Sequence, residues 1–161
     1  MKDIKKENLS MDRIQEVKDK IEVLEQQKTD LYNAYGYDMS MQWYRENIKP
    51  LNDEIDYCER LITRIKRYNV QVGDGVTICY YTDREAGTII KRTKNTITYQ
   101  QDKAIRTDNN GMSDCQEYRY ERDPNGKVEV YHWSHKYGCF RNSKNHLYVI
   151  NGRHEYFDYS F

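Results

Sequence analysis

His132, His135 and Cys139 stand in the spacing H-x2-H-x3-C, with Cys115 or His146 available as a fourth donor. Zinc takes about four nitrogen or sulfur ligands in a tetrahedron, and near spacing within one loop helps to supply them. The pattern matches no zinc-finger spacing. The same residues alternate with Trp133 and Tyr137, which also suits a polar hairpin end. No cofactor is therefore expected, and zinc on His132, His135, Cys139 and Cys115 is the exception to test.

Asp83-Arg84 falls at a turn, Asp102-Lys103 follows a β-rich run, Arg106-Thr107-Asp108 comes next, and Arg153-His154-Glu155 precedes the final segment. A histidine beside carboxylates can serve as a general base, and a cysteine paired with it as a nucleophile. Asp83, Asp102 and His154 are the residues around which a small enzyme or a nucleotide-binding protein would be built. Charged pairs at turns are more often solvated, and none of the Walker loop, the dinucleotide fingerprint, HExxH or GxSxG occurs in the chain. The sequence reads as a binding protein rather than an enzyme.

Two binding surfaces can be drawn. Tyr80, Tyr81, Asp83 and Arg84 in one turn, with Lys103, Arg106 and Asp108 in a later polar segment, combine the residue types that dominate protein interfaces. Lys91, Arg92 and Lys94 beside Tyr99 instead offer charge and a stacking face for nucleic acid. From Asn69 onward thirteen Lys and Arg meet twelve Asp and Glu, so a broad phosphate-binding face is not expected. Lysines at a sheet edge also serve to block edge-to-edge aggregation. The protein partner is the leading reading and nucleic acid the alternative.

The whole chain is equally balanced: 161 residues carry 26 Lys and Arg against 26 Asp and Glu. With 37% hydrophobic residues and a mean hydropathy of -1.08, no apolar run approaches the roughly 20 residues of a membrane span. Sixteen Tyr against three Phe favour recognition surfaces and small barrels, where an apolar ring with a polar handle is useful. The opening MKDIKKENLS has no apolar core of a secretory signal, and the four cysteines, with no CxxC pair, read as reduced thiols in a cytoplasm.

Elements that position these residues divide near Asn69. Ile14, Val17, Ile21, Leu24, Leu31 and Tyr35 follow a heptad seam, with Ser10 as N-cap and Gly36 as stop. Tyr44, Ile48, Leu51, Ile55, Cys58, Ile62 and Ile65 form a second seam, capped by Ser40 and kinked or effectively started at Pro50. The short link Gly36-Tyr37-Asp38-Met39 favours an antiparallel, coiled-coil-like hairpin over residues 1–68, which alone buries little and so suits homodimerisation or a partner. Residues 69–161 read as a small β domain. Val70 to Ile78, Ala86 to Ile90 and Thr96 to Tyr99 are its first strands, and residues 103–116 a polar loop. Glu117–Glu121 and Val128–Trp133 flank Asp123-Pro124-Asn125-Gly126 as a hairpin. The alternating end from Glu155, with Phe157, Tyr159 and Phe161 on one face, is the strand expected to close a barrel.

The fold class is thus α+β, a helical hairpin followed by a small antiparallel barrel or strongly bent sheet. The runs VGDGV, GTI and TITY resemble the opening strands of SH3-like and Tudor-like barrels. The ordered segments GDGVT, TDREAGT, QQDKAIR, GMSDCQEY, DPNG and GRHEYFDYSF, over Val72–Phe161, resemble a family of small proteins of bacteriophage and other mobile elements of Firmicutes. That family offers no catalytic residues to carry over. The resemblance implies a setting, the cytoplasm of a bacterial host. By analogy with anti-CRISPR and other anti-defence proteins, it implies a stoichiometric inhibitor that contacts a host defence protein or nucleoprotein.

Overall fold

The computed structural model describes residues 8–36, 40–142 and 144–160. The chain is α+β, with helices followed by a closed antiparallel barrel of six strands. It divides into two compact units, Lys6–Lys66 and Arg67–Phe161, and each is described by itself. Among the described residues no helix is long and apolar enough to cross a membrane.

Three helices form the first unit: α1 (Arg13–Tyr35), α2 (Met41–Asn47) and α3 (Lys49–Tyr68). Ile14, Val17 and Leu24 of the first seam are buried, whereas Tyr35 is exposed and its ring contacts Trp43 at 4.7 Å. Of the second seam, Ile48, Ile55, Cys58 and Ile65 are buried, joined by Leu61. Ser40 does cap its helix: its hydroxyl accepts from the Trp43 amide at 3.2 Å. Gly36 ends α1 at φ +71°, a conformation a side chain would oppose. The cap of α1 falls at Asp12 rather than Ser10, because Met11 and Asp12 already make a turn, with the Ile14 amide on the Met11 carbonyl at 3.0 Å. Pro50 explains why one seam becomes two helices. It has no amide to give to the preceding turn, so the helix breaks at Ile48 and restarts at Lys49. Lys20 of α1 pairs with Glu54 of α3. The connection through Tyr37, Asp38 and Met39 lies outside the described residues.

The second unit contains β1 (Gly75–Cys79), β2 (Arg84–Arg92), β3 (Thr96–Gln101), β4 (Lys103–Arg106), β5 (Tyr118–Glu121), β6 (Val128–Ser134), β7 (Cys139–Arg141) and β8 (Tyr148–Asn151). The barrel order is β1-β2-β3-β6-β7-β8, and β4 and β5 form a separate two-stranded sheet. Val76, Ile78, Ile89, Ile97, Tyr99, Tyr131, Trp133, Phe140 and Val149 fill the interior. Gly87 is where the Tyr99 ring crosses β2: a Cβ there would overlap both that ring and the Gln100 carbonyl. A bulge at Ile90 shifts the β2–β3 register between Ile89 and Lys91.

Three sequence expectations are corrected. The segment read as a loop over 103–116 opens with β4, whose four residues pair with β5 from Lys103↔Glu121 to Arg106↔Tyr118. Four residues, two basic and two apolar, are too short to show a period. Asp123-Pro124-Asn125-Gly126 makes the expected turn, with the Gly126 amide on the Asp123 carbonyl at 3.0 Å, but it joins strands of different sheets, β5 to β4 and β6 to β3. Gly126 is needed because a Cβ there would meet the Gln101 carbonyl. The barrel is closed by β8 on β1, not by the chain end.

The chain end instead lies as a strap outside the barrel, bound by one bridge between Arg84 and Tyr156. Thr77 of β1 accepts from the His154 amide at 2.8 Å and donates to the Gly152 carbonyl at 2.7 Å. Glu155 accepts from the Ala86 amide at 2.8 Å. The strap therefore buries the outer faces of β1 and β2, which explains why Val76–Cys79 and Ala86–Ile89 are continuous buried runs rather than alternating ones. Phe161 lies outside the described residues.

Candidate functional site

The turn between β1 and β2 is closed by the Tyr80 amide on the Asp83 carbonyl at 3.1 Å. Arg84 stiffens it from inside. One nitrogen of its guanidinium donates to the Asp83, Tyr80 and Thr82 carbonyls at 2.7, 3.2 and 3.4 Å. Tyr81 at the tip is 97% exposed. Asp83 accepts from the Asp158 amide at 2.9 Å, which ties the strap to the turn.

Beside this turn a cleft of about 160 Å³ is lined by Tyr80, Asp83, Arg84, Glu85, Glu155, Tyr156 and Phe157. Three carboxylates face one guanidinium that is already committed to backbone carbonyls. Burial raises the pKa of Glu155, the Ala86 amide opposes that rise, and the nearby Glu85 and Asp83 add to it. Glu85 also accepts from the hydroxyls of Tyr99 at 3.0 Å and Tyr80 at 3.3 Å. Burial and that carboxylate raise both phenols above the ordinary tyrosine range. Phe157 is half exposed and stacks edge-on against Tyr159 with ring centroids 5.0 Å apart.

Arg106 and Asp108 meet as a forked pair, with nitrogen–oxygen distances of 2.9 and 3.0 Å. Asp108 also accepts from the Asn110 and Glu117 amides, both at 2.8 Å, so its carboxyl is held well below the usual carboxylate range, first by Arg106 and then by those amides. Arg106 reaches on to the Tyr159 hydroxyl at 2.9 Å. Lys103 is exposed on β4. Of the seven residues drawn as a partner surface, Tyr80, Asp83 and Arg84 line the cleft and Tyr81 stands next to it. Arg106 and Asp108 organise the segment after β4, and the strap joins the two groups through Asp158 and Tyr159. Asp83, Arg84, Arg106 and Asp108 are thus partly buried residues that hold structure.

The alternative nucleic-acid patch does not assemble as drawn. Tyr99 is fully buried and offers no stacking face. Arg92 donates to the Tyr68 and Val70 carbonyls at 2.8 and 3.2 Å and lies between the Tyr68 and Phe140 rings. Lys91 and Lys94 are exposed at the β2–β3 turn. The catalytic alternative is dispersed too. Asp83 holds the strap, Asp102 is engaged by two arginines, and His154 contributes its backbone amide to Thr77. Cys58, Cys79 and Cys139 are buried and outside any disulfide, and burial raises the Cys79 thiol away from reactivity. Among the described residues no three His, Cys, Asp or Glu side chains are gathered to hold a metal. His132 faces out from β6 while Cys139 is buried on β7, and Cys115 lies exposed in the segment between β4 and β5, so the zinc reading has no common centre.

Of the other cleft residues, Glu85 and Tyr156 are not among the sequence candidates, Glu155 is read only as a neighbour of His154, and Phe157 only as part of a strand. Glu85 stood beside the chosen Asp83-Arg84, and Phe157 carried an alternation signal assigned to a barrel strand. Glu155 carried none that distinguishes it from a solvated carboxylate. No family model, curated protein or solved structure matches the chain.

Proposed function

We propose that this protein is a non-enzymatic binding protein that engages a protein partner through the β1–β2 turn and the adjoining strap. The single observation that carries the reading is Tyr81. A large aromatic ring, 97% exposed, projects from a turn whose backbone is pinned by Arg84. An exposed ring on a rigid support loses little entropy on binding, and tyrosine is enriched among residues that anchor interfaces. The half-exposed Phe157 and the carboxylates of the cleft extend the surface on one side.

The finer reading rests on the sequence. The resemblance of its segments to small proteins of phages and mobile elements supports a stoichiometric inhibitor of a bacterial defence system, acting by contact with a host defence protein or nucleoprotein in the host cytoplasm. The two heptad seams support a helical hairpin that pairs with a second copy, and the opening strands support an SH3-like barrel.

The test compares tagged wild type with Tyr81→Ala in bacterial lysates carrying such a system. Stoichiometric recovery of a defence component, lost on Tyr81→Ala with the melting temperature unchanged, is expected. Equal recovery by both proteins, or recovery of no defence component, would overturn the reading. Ala at Asp83, Arg84, Arg106 or Asp108 is a poorer test, because each also removes hydrogen bonds that hold the fold.

A further inference from the structure

On the far side of β2 from the barrel interior, two arginines converge on one buried carboxylate. Asp102 lies one step beyond the Lys103↔Glu121 pair, which sets it opposite Arg122. Its side chain is 1% exposed. One oxygen accepts from Arg122 Nη1 at 2.5 Å, and the other from Arg153 Nε and the Thr88 hydroxyl, both at 2.7 Å. Arg122 Nη2 donates to Gln100 Oε1 at 2.8 Å, and Arg153 Nη2 to Thr88 Oγ1 at 2.6 Å. Gln100 is fixed in turn by the Pro124 carbonyl at 2.9 Å.

Both guanidinium planes are therefore fixed, yet their side chains remain 44% and 31% exposed. A guanidinium has five N–H donors. The bonds named above use two on each arginine, which leaves three on each. Two arginines against one aspartate leave a single surplus positive charge. Arg153 fits because Gly75 has no side chain: a Cβ there would come within 2.5 Å of its Nη1. An Asp satisfied by one arginine would complete an ordinary ion pair. The second arginine, brought from the strap 51 residues away in sequence, adds a like charge that a purely structural pair does not need.

We propose that Arg122 and Arg153 form an anion site for the terminal phosphate of a small phosphorylated molecule, with Asp102, Thr88 and Gln100 as positioning residues. Phosphate suits the forked geometry, because paired N–H groups on fixed planes match its oxygens. One surplus charge in a chain with no net charge suits a single phosphate group rather than a tracked nucleic-acid backbone. The site is separate from the Tyr81 surface and does not depend on the partner reading.

The test is a titration of the full-length protein at constant ionic strength with inorganic phosphate, AMP, adenosine and an oligonucleotide that lacks a terminal phosphate. Arginine Nε–H resonances provide the readout. Saturable shifts of the Arg122 and Arg153 signals with phosphate and AMP, and none with adenosine, are expected. Arg122→Gln should weaken binding at least tenfold, and Arg122→Lys, which keeps the charge but loses the fork, should weaken it as well. The wild-type titration stands even if a variant fails to fold. Absence of saturable shifts, or unchanged binding by a folded Arg122→Gln, would overturn the site. Displacement by the oligonucleotide without binding of AMP would overturn the terminal-phosphate assignment.

Discussion

Gly87→Ala is a one-methyl substitution whose cost can be worked from geometry. The new Cβ would overlap the Tyr99 ring on one side and the Gln100 carbonyl on the other. Neither can retreat easily. Tyr99 is fully buried and its hydroxyl is tied to Glu85 and the Ala86 carbonyl, while Gln100 lies in the β3 ladder between Thr88 and Val128. Overpacking of this kind costs about 1–3 kcal/mol. Replacing Gly by Ala also restricts the unfolded chain, which returns about 0.4–1 kcal/mol. The packing term wins because both obstacles are fixed, and a net loss of about 1–2 kcal/mol is expected. Urea unfolding followed by tyrosine and tryptophan fluorescence measures it. The double mutant Gly87→Ala/Tyr99→Ala separates the causes. Tyr99→Ala alone costs about 3–5 kcal/mol, by analogy with other large aromatics. With the ring gone, the added methyl meets a cavity, so the double mutant should be less destabilised than the sum of the two. A neutral Gly87→Ala, or strict additivity, would refute the claim that Tyr99 crosses β2 at this residue.

Cutting the chain after Asn151 should destabilise the β unit by about 3 kcal/mol or more, because it strands the Ala86 amide and the Thr77 hydroxyl and takes the Arg153 donor from the buried Asp102 carboxylate; a truncated protein within 1 kcal/mol of wild type in urea would count against the strap. Glu155→Gln probes the cleft through pH. Burial raises the Glu155 pKa in the folded state, so the favourable contribution is present below the ordinary glutamate pKa and is lost as pH rises through the folded value. The variant keeps the acceptor for Ala86, so it should be more stable than wild type at neutral pH, with the difference vanishing in acid; an equal difference at all pH values would contradict the assignment. Asp108→Asn should have the opposite dependence. The lowered Asp108 pKa contributes stability above the ordinary aspartate value that disappears as pH falls through the folded one, so faster hydrogen exchange at the Asn110 and Glu117 amides is expected at neutral pH and not in strong acid.

Much of the helices and of the first three strands was legible, the helices from their seams and the strands from β-rich runs bounded by turn residues, although the strand read from Val70 begins only at Gly75 and the second seam is split into two helices. The seam ending at Ile65 and the run around Ile78 are examples, and Pro50 and Ser40 act locally enough to be read from their own chemistry. What the sequence did not disclose is pairing at a distance. Asp-Pro-Asn-Gly encodes a turn but not its destination, so β5 and β6 part company after it. The alternation of Phe157 and Tyr159 is real, yet it belongs to a strap that lies on the barrel. β8 closes the barrel with only four residues and was overlooked. Tyr81 stood out from its type and its turn. Arg122 did not, because a lone arginine beside a turn resembles any solvated charge until Asp102 is seen beneath it.

Zero net charge is the compositional fact most open to misreading. A balanced total says only that the field averages out at a distance, where salt screens it within about 10 Å in any case. Here the charges are sorted at shorter range than that. Three carboxylates gather in the cleft behind Tyr81, and two arginines gather over Asp102. The strap unites these opposite surfaces. It sends Glu155 to the first and Arg153 to the second, two residues apart and each anchored by a hydrogen bond. A segment with alternating side chains can serve two sites at once, because Arg153 and Glu155 leave it at successive like-facing positions while His154 between them is turned to solvent. Any ligand that shifts the strap at one site therefore shifts a charged residue of the other. Phosphate at Arg122 and Arg153 should accordingly alter hydrogen exchange at Ala86, whose amide reports on Glu155, and a partner on Tyr81 should alter the Arg153 Nε–H signal.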